Sequence, residues 1–177
     1  MVRNHLLVTM LLALAVVPAL TSAGTIDLTV GFSESQLSFS MHKGYDQVVM
    51  TGLDLLRDPG RPQLPVLLGR AIIPPGEVVQ AVEILEVDQV DLPGSWDIYP
   101  AQPPQILSLS AEAVEKLEFM EPEEMVYRSR RQYPEEMVRV TGHGCLGGYH
   151  LVDLEIHPLR YLPAEKRLRF MRIQSRV

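Results

Sequence analysis

The sequence predicts an all-β, mainly antiparallel fold: a sandwich or open barrel of about eight or nine short strands, with at most one short helix near residues 110–120. Three observations predict it. The 177 residues include 14 prolines and 12 glycines spread along the whole chain, so regular structure is interrupted at short intervals. Between the interruptions apolar residues alternate with period two, as at Leu37, Phe39 and Met41 and again at Val152, Leu154 and Ile156. Hydrophobic residues make up 46% of the chain, enough to bury a core, but they seldom recur at helical spacing.

Residues 1–23 stand apart from that fold. Arg3 gives a basic start, Leu6–Leu20 is apolar apart from Thr9, and Thr21-Ser22-Ala23 supplies small residues where a signal peptidase reads. This is the pattern of a secretory signal peptide cleaved after Ala23. The apolar run falls short of the ~20 residues of a membrane span, so no membrane association is expected after cleavage. The expected location is secreted or in the cell envelope, with residues 24–177 forming one domain.

Taken in order, Ile26, Leu28, Val30 and Phe32 alternate with polar or small residues and predict a half-buried strand. Leu37 to Met41 predicts a second, Lys43-Gly44 a turn, and Gln47 to Thr51 a third strand. Gly60 to Gly76 is the organising stretch. Its two early prolines hold Gln63 to Val66 extended, Val66 to Ile73 has the length and branching of a strand, and Pro74-Pro75-Gly76 stops it. Val78 to Val87 reads as an interior strand with apolar residues on both faces. Pro93-Gly94 is a turn, and Trp96, Ile98 and Tyr99 form a short aromatic strand ending at Pro100. Ser110 to Met120 carries the only helical pattern, with Ser110 as cap, and is either a short surface helix or an exposed loop.

The charged run Glu121 to Glu136 reads as a solvated loop. Met137 to Thr141 is a strand, after which Gly142-His143-Gly144 and Gly147-Gly148 act as flexible punctuation. His150 to His157 puts Val152, Leu154 and Ile156 on one face and Asp153, Glu155 and His157 on the other. Leu168 and Phe170 continue the alternation, which slips at Met171-Arg172-Ile173 as a bulge would make it. These last two runs predict an antiparallel hairpin.

Composition and motifs narrow the function classes. A net charge of −6 with no basic patch argues against nucleic-acid binding. The single cysteine, Cys145, excludes an internal disulfide. His143 and Cys145 form a nucleophile-and-base pair only in composition, because one glycine between them keeps the side chains from a productive geometry. No histidines sit at metal-ligand spacing, and phosphate-loop and Gly-x-Ser-x-Gly motifs are absent, so no metal, no cofactor and no catalytic residue is expected. The sharpest functional stretch is Tyr127-Arg128-Ser129-Arg130-Arg131-Gln132-Tyr133-Pro134. Arg128, Arg130 and Arg131 are candidates for a processing or inhibitory loop, since arginine is long, always charged and readily threaded into an acidic specificity site. The bland alternative is surface charge balanced by the neighbouring glutamates.

Four stretches in this order resemble the propeptide domain that precedes gingipain-type cysteine peptidases. They are Gly60-Arg61-Pro62-Gln63-Leu64-Pro65 with Ile73-Pro74-Pro75-Gly76; Ile98-Tyr99-Pro100-Ala101-Gln102-Pro103-Pro104; Tyr133-Pro134; and Gly148-Tyr149 followed by Ile156-His157-Pro158-Leu159-Arg160-Tyr161-Leu162-Pro163. The resemblance implies an all-β propeptide of a secreted cysteine peptidase. It would act as latency inhibitor and folding chaperone, with the cognate catalytic domain as partner and no catalysis of its own. The sequence ends at Val177, where the family continues into that catalytic domain, so the domain is expected to be missing from this chain. A rival reading is a secreted β-sandwich binding or adhesion module with no protease link. A standalone hydrolase would require Cys145 to react as a nucleophile.

Overall fold

The computed structural model describes residues 26, 28–84, 87–104 and 118–172. The expected signal peptide with Ala23 lies outside these residues, as does 110–117 of the expected helix; 118–120 are irregular. Nine strands are present among the described residues. They are β1 (Leu37–His42), β2 (Tyr45–Met50), β3 (Asp54–Leu55), β4 (Pro65–Ile73), β5 (Asp88–Asp91), β6 (Val138–Leu146), β7 (Tyr149–Ile156), β8 (Leu159–Leu162) and β9 (Arg167–Arg172). Among the described residues the helical content is one turn, α1 (Glu124–Tyr127), and two 3₁₀ turns at Glu34–Gln36 and Pro163–Glu165. The fold is therefore all-β, and every strand pairing is antiparallel.

The strands form three sheets in the orders β1-β2, β3-β4-β7-β6 and β5-β9-β8, none closed into a barrel. The β1-β2 hairpin turns on Lys43 and Gly44, both at positive φ (51° and 84°), as a two-residue turn matching the strand twist requires. Strand β7 is central in its sheet, and its alternation explains why. Val152, Leu154 and Ile156 are buried, while Asp153 and Glu155 on the other face are neutralised by Arg70 (2.6 Å) and Arg139 (2.5 Å) from the two flanking strands. Beyond those ion pairs the outer face turns apolar, with exposed Ile72, Leu146 and Tyr149.

One core draws on all three sheets. Val48 and Met50 of β2, Val66 of β4, Ile156 of β7, Leu159 and Tyr161 of β8 and Leu168 and Phe170 of β9 pack together with Leu64 and Ile98. A smaller cluster of Ile73, Val152 and Leu154 lies under β4 and β7. The proline-rich motifs zip together in pairs. Gly60 to Gln63 runs beside Tyr99 to Ala101, with Gly60 N–H donating to the Ala101 carbonyl (2.8 Å) and Gln63 N–H to that of Tyr99 (2.9 Å). Tyr133 and Tyr161 exchange both backbone bonds, at 2.8 and 2.7 Å. Proline removes a donor from each segment, so these pairings are short bridges rather than ladders.

Several expectations fail. Residues 28–33 form no strand: Leu28 is exposed, Val30 is half-buried against the core, and Phe32 is buried in it. Residues 77–84 are irregular, with Val78, Val82 and Ile84 at 65, 42 and 41% exposure, because Pro74-Pro75-Gly76 turns the chain away from the sheet edge. Trp96 to Tyr99 makes isolated bridges rather than a strand; Asp46 pairs with Ile98 and Pro62 with Pro100. The Gly142-His143-Gly144 segment is not punctuation but the middle of β6, and the bulge falls there, between Val140 and Gly142, rather than at Met171. The expected hairpin of 150–157 with the last strand does not exist. Buried Pro158 ends β7, the chain crosses to the other sheet, and β8 pairs with β9 while β7 pairs with β4 and β6.

Candidate inhibitory and processing loop

Glu121 to Glu136 is charged, yet it is not simply a solvated loop. Glu123 N–H donates to the Gly60 carbonyl (2.8 Å), which seats α1 against the Gly60–Pro65 motif. Gly60 has a φ of 77°, and a Cβ there would sit 3.4 Å from the Glu121 carbonyl oxygen, so glycine suits this approach. Tyr127, the last residue of α1, donates its hydroxyl to the Ile98 carbonyl (2.7 Å) and packs edge-on against Tyr161. Burial pushes the Tyr127 phenol well above its usual pKa, so it stays a donor.

The loop that follows is clamped at both ends. Upstream, the Ser129 carbonyl accepts from Ala164 N–H (3.1 Å). Downstream, Tyr133 bridges Tyr161, and Arg160 donates to the carbonyls of Pro134 (3.2 Å) and Glu135 (2.6 Å) across a cis Tyr133-Pro134 bond. Between the clamps the three candidate arginines differ. Arg128 pairs with Glu124 at 2.6 Å, and Arg131 with Glu135 at 3.4 Å. Arg130 is exposed and has no ion-pair partner among the described residues. The structure thus presents one free guanidinium on a short span fixed on both sides.

Under the loop lies an open groove of about 750 Å³, lined by Arg61, Arg139, Asp58, Glu136 and Tyr133 among others. At its base His157 is 1% exposed, with Nε2 3.9 Å from a Glu155 oxygen and Nδ1 lacking a partner. Burial lowers the His157 pKa to about 4; the Glu155 carboxylate opposes that shift, and Arg139 and Arg160 add to it. The imidazole is neutral at pH 7.

His143 and Cys145 lie two residues apart on β6, and both are exposed. No hydrogen bond reaches the Cys145 sulfur among the described residues, and no cluster of three metal-ligating side chains occurs among them. No helix among them is long and apolar enough to cross a membrane. Tyr127 opened the stretch that the sequence singled out, but the clamp residues Tyr161 and Arg160 were not identifiable as part of this site from the sequence. Their signal was the Tyr-Pro and Pro-x-x-Tyr punctuation, which marks position without naming a contact.

Three comparisons bear on this arrangement. The family model for the C25 propeptide (Propeptide_C25) matches residues 16–176. No curated protein matches the chain. Among solved structures, one described as giving insight into zymogenic latency of gingipain K from Porphyromonas gingivalis is similar, with a TM-score of 0.61 and 21% identity over 77% of this chain and 75% of that one. A complex of the pro- and mature domains of RgpB from the same organism is similar too, with a TM-score of 0.60 and 18% identity over 77% of this chain and 70% of that one. At these identities the likeness is one of fold.

Proposed function

The chain belongs to the C25 propeptide family and is the propeptide domain of a gingipain-like cysteine peptidase precursor, and we propose that it holds its peptidase latent by presenting Arg130 to the substrate cleft. The observation that carries this reading is the unpaired guanidinium of Arg130 on a loop clamped by Ser129 on one side and by Tyr133 and Arg160 on the other. A segment already held in one conformation loses little entropy on entering a cleft, and arginine suits an acidic specificity site. The domain covers the cleft with an interface of about 1,600 Å², the usual size for a protease inhibitor. When tethered to the peptidase, it acts at a local concentration on the order of millimolar. By binding only the folded enzyme it also favours folding through mass action. Residues 24–177 are the working unit, exported by a leader cleaved after Ala23, and the same loop is the processing site, with Arg128 and Arg131 as secondary positions.

The test is inhibition by purified residues 24–177 of an arginine-specific gingipain-type peptidase. Inhibition at or below about 1 μM is expected, corresponding to roughly 8 kcal/mol of binding. Arg130→Ala should weaken it at least about tenfold, and Arg128→Ala far less, since Arg128 is already paired within α1. No inhibition at micromolar concentration overturns the proposal.

A further inference from the structure

Cutting the arginine loop divides the chain between α1 and β6, and the two pieces are not separate bodies. The upstream piece holds β1 to β5 and the downstream piece β6 to β9. Strand β7, downstream, lies between β6 and upstream β4, in register from Leu67 with Ile156 to Ile73 with His150. Strand β9, downstream, lies between β8 and upstream β5, in register from Asp88 with Arg172 to Asp91 with Arg169. Each larger sheet is therefore made from both pieces. So is the core, where Val48, Val66 and Ile98 meet Leu159, Leu168 and Phe170.

Smaller bonds cross the cut as well. Leu92 N–H donates to the Leu168 carbonyl (2.9 Å) and Trp96 N–H to that of Lys166 (2.8 Å). Arg169 is bonded to Asp91 at 2.7 Å, and Lys166 to Asp97 at 2.7 Å. The upstream lip of the loop stays attached to the downstream piece through the bond from Ala164 to the Ser129 carbonyl.

We infer that scission of the Arg130–Arg131 bond does not by itself end latency: the nicked propeptide persists as an interlocked two-piece domain that continues to occupy the peptidase. Hydrolysis takes up one water and leaves a carboxylate on Arg130 and an ammonium group on Arg131, both in the exposed part of the loop. No sheet bond or core contact is broken by that step. Separating the pieces means opening both larger sheets at once, which amounts to global unfolding. Release therefore needs a second event, another cut or unfolding of the nicked domain. The inference rests on the loop being the processing site.

The experiment inserts a recognition sequence for an unrelated site-specific protease between Arg130 and Arg131 in residues 24–177. It is cut under native conditions and verified on a denaturing gel. The two pieces should co-elute on size exclusion at the position of the uncut domain. Inhibition of the gingipain-type peptidase should stay within about threefold of the uncut insertion variant, because the interlocked pieces keep the effective concentration of one domain. Separate elution of the pieces, or a loss of inhibition of about tenfold or more on cutting, overturns the inference. If the uncut variant does not inhibit, inhibition by the unaltered residues 24–177 decides the latency reading, and co-elution decides whether the nicked domain holds. If the insertion prevents folding, limited trypsin digestion of the unaltered chain, with the cut mapped by mass spectrometry, gives the same elution readout.

Discussion

At the scale of single residues, the groove base is the most informative place. His157 is buried and neutral with an unpartnered Nδ1. Its folded pKa of about 4 lies below the ~6.5 of an unfolded chain, so unfolding takes up a proton in between. Its contribution is fully present above pH 6.5 and is lost as pH falls toward 4. Denaturant titrations should show about 2–3 kcal/mol less stability at pH 4 than at pH 7 from this group, and His157→Phe should remove that component of the slope. Tyr161, buried in the core, donates its hydroxyl to the Trp96 carbonyl at 2.8 Å. Tyr161→Phe leaves that acceptor without its partner and should cost about 1–2 kcal/mol, measured by urea unfolding. Neither role was legible in advance. Sequence parity put His157 on the polar face with Asp153 and Glu155, but the chain leaves the strand at Ile156, and the imidazole turns into the interior.

At the scale of elements, alternation told strands from loops where the pattern was flanked by turns. Leu37 to Met41, Gln47 to Thr51, Val66 to Ile73 and His150 to His157 correspond to β1, β2, β4 and β7. It failed where apolar residues were numerous but unpaired. Val78 to Val87 has the composition of a buried strand, yet residues 77–84 pair with no strand after the Pro-Pro-Gly turn, and Val82 stays exposed. Val82→Lys should therefore change stability by no more than about 0.5 kcal/mol. Leu159→Ala, in a strand whose alternation was hidden by Pro158 and Pro163, should cost about 2–5 kcal/mol, because Leu159 is fully buried. Thermal unfolding of the two variants separates the cases. Pairing partners were less legible than strands, because a hairpin between 150–157 and the last strand satisfies the same pattern; only the crossover at Pro158 decides against it.

At the scale of the whole molecule, the proline and tyrosine motifs look in sequence like separate interruptions, whereas in space they meet as Gly60–Gln63 with Tyr99–Ala101 and as Tyr133 with Tyr161. Their order along the chain was readable and their mutual contacts were not, since contacts between distant segments depend on topology. Because one core spans all three sheets, unfolding should be a single transition, with tryptophan fluorescence and far-UV circular dichroism giving the same midpoint. Stability comes from packing and hydrogen bonds without a covalent cross-link, and the one thiol sits exposed on β6, the outermost strand of its sheet. Stored in air without reductant, two chains can join sulfur to sulfur through that strand. The product should run at twice the mass on a non-reducing gel, return to single size with dithiothreitol, and disappear altogether when Cys145 is replaced by serine.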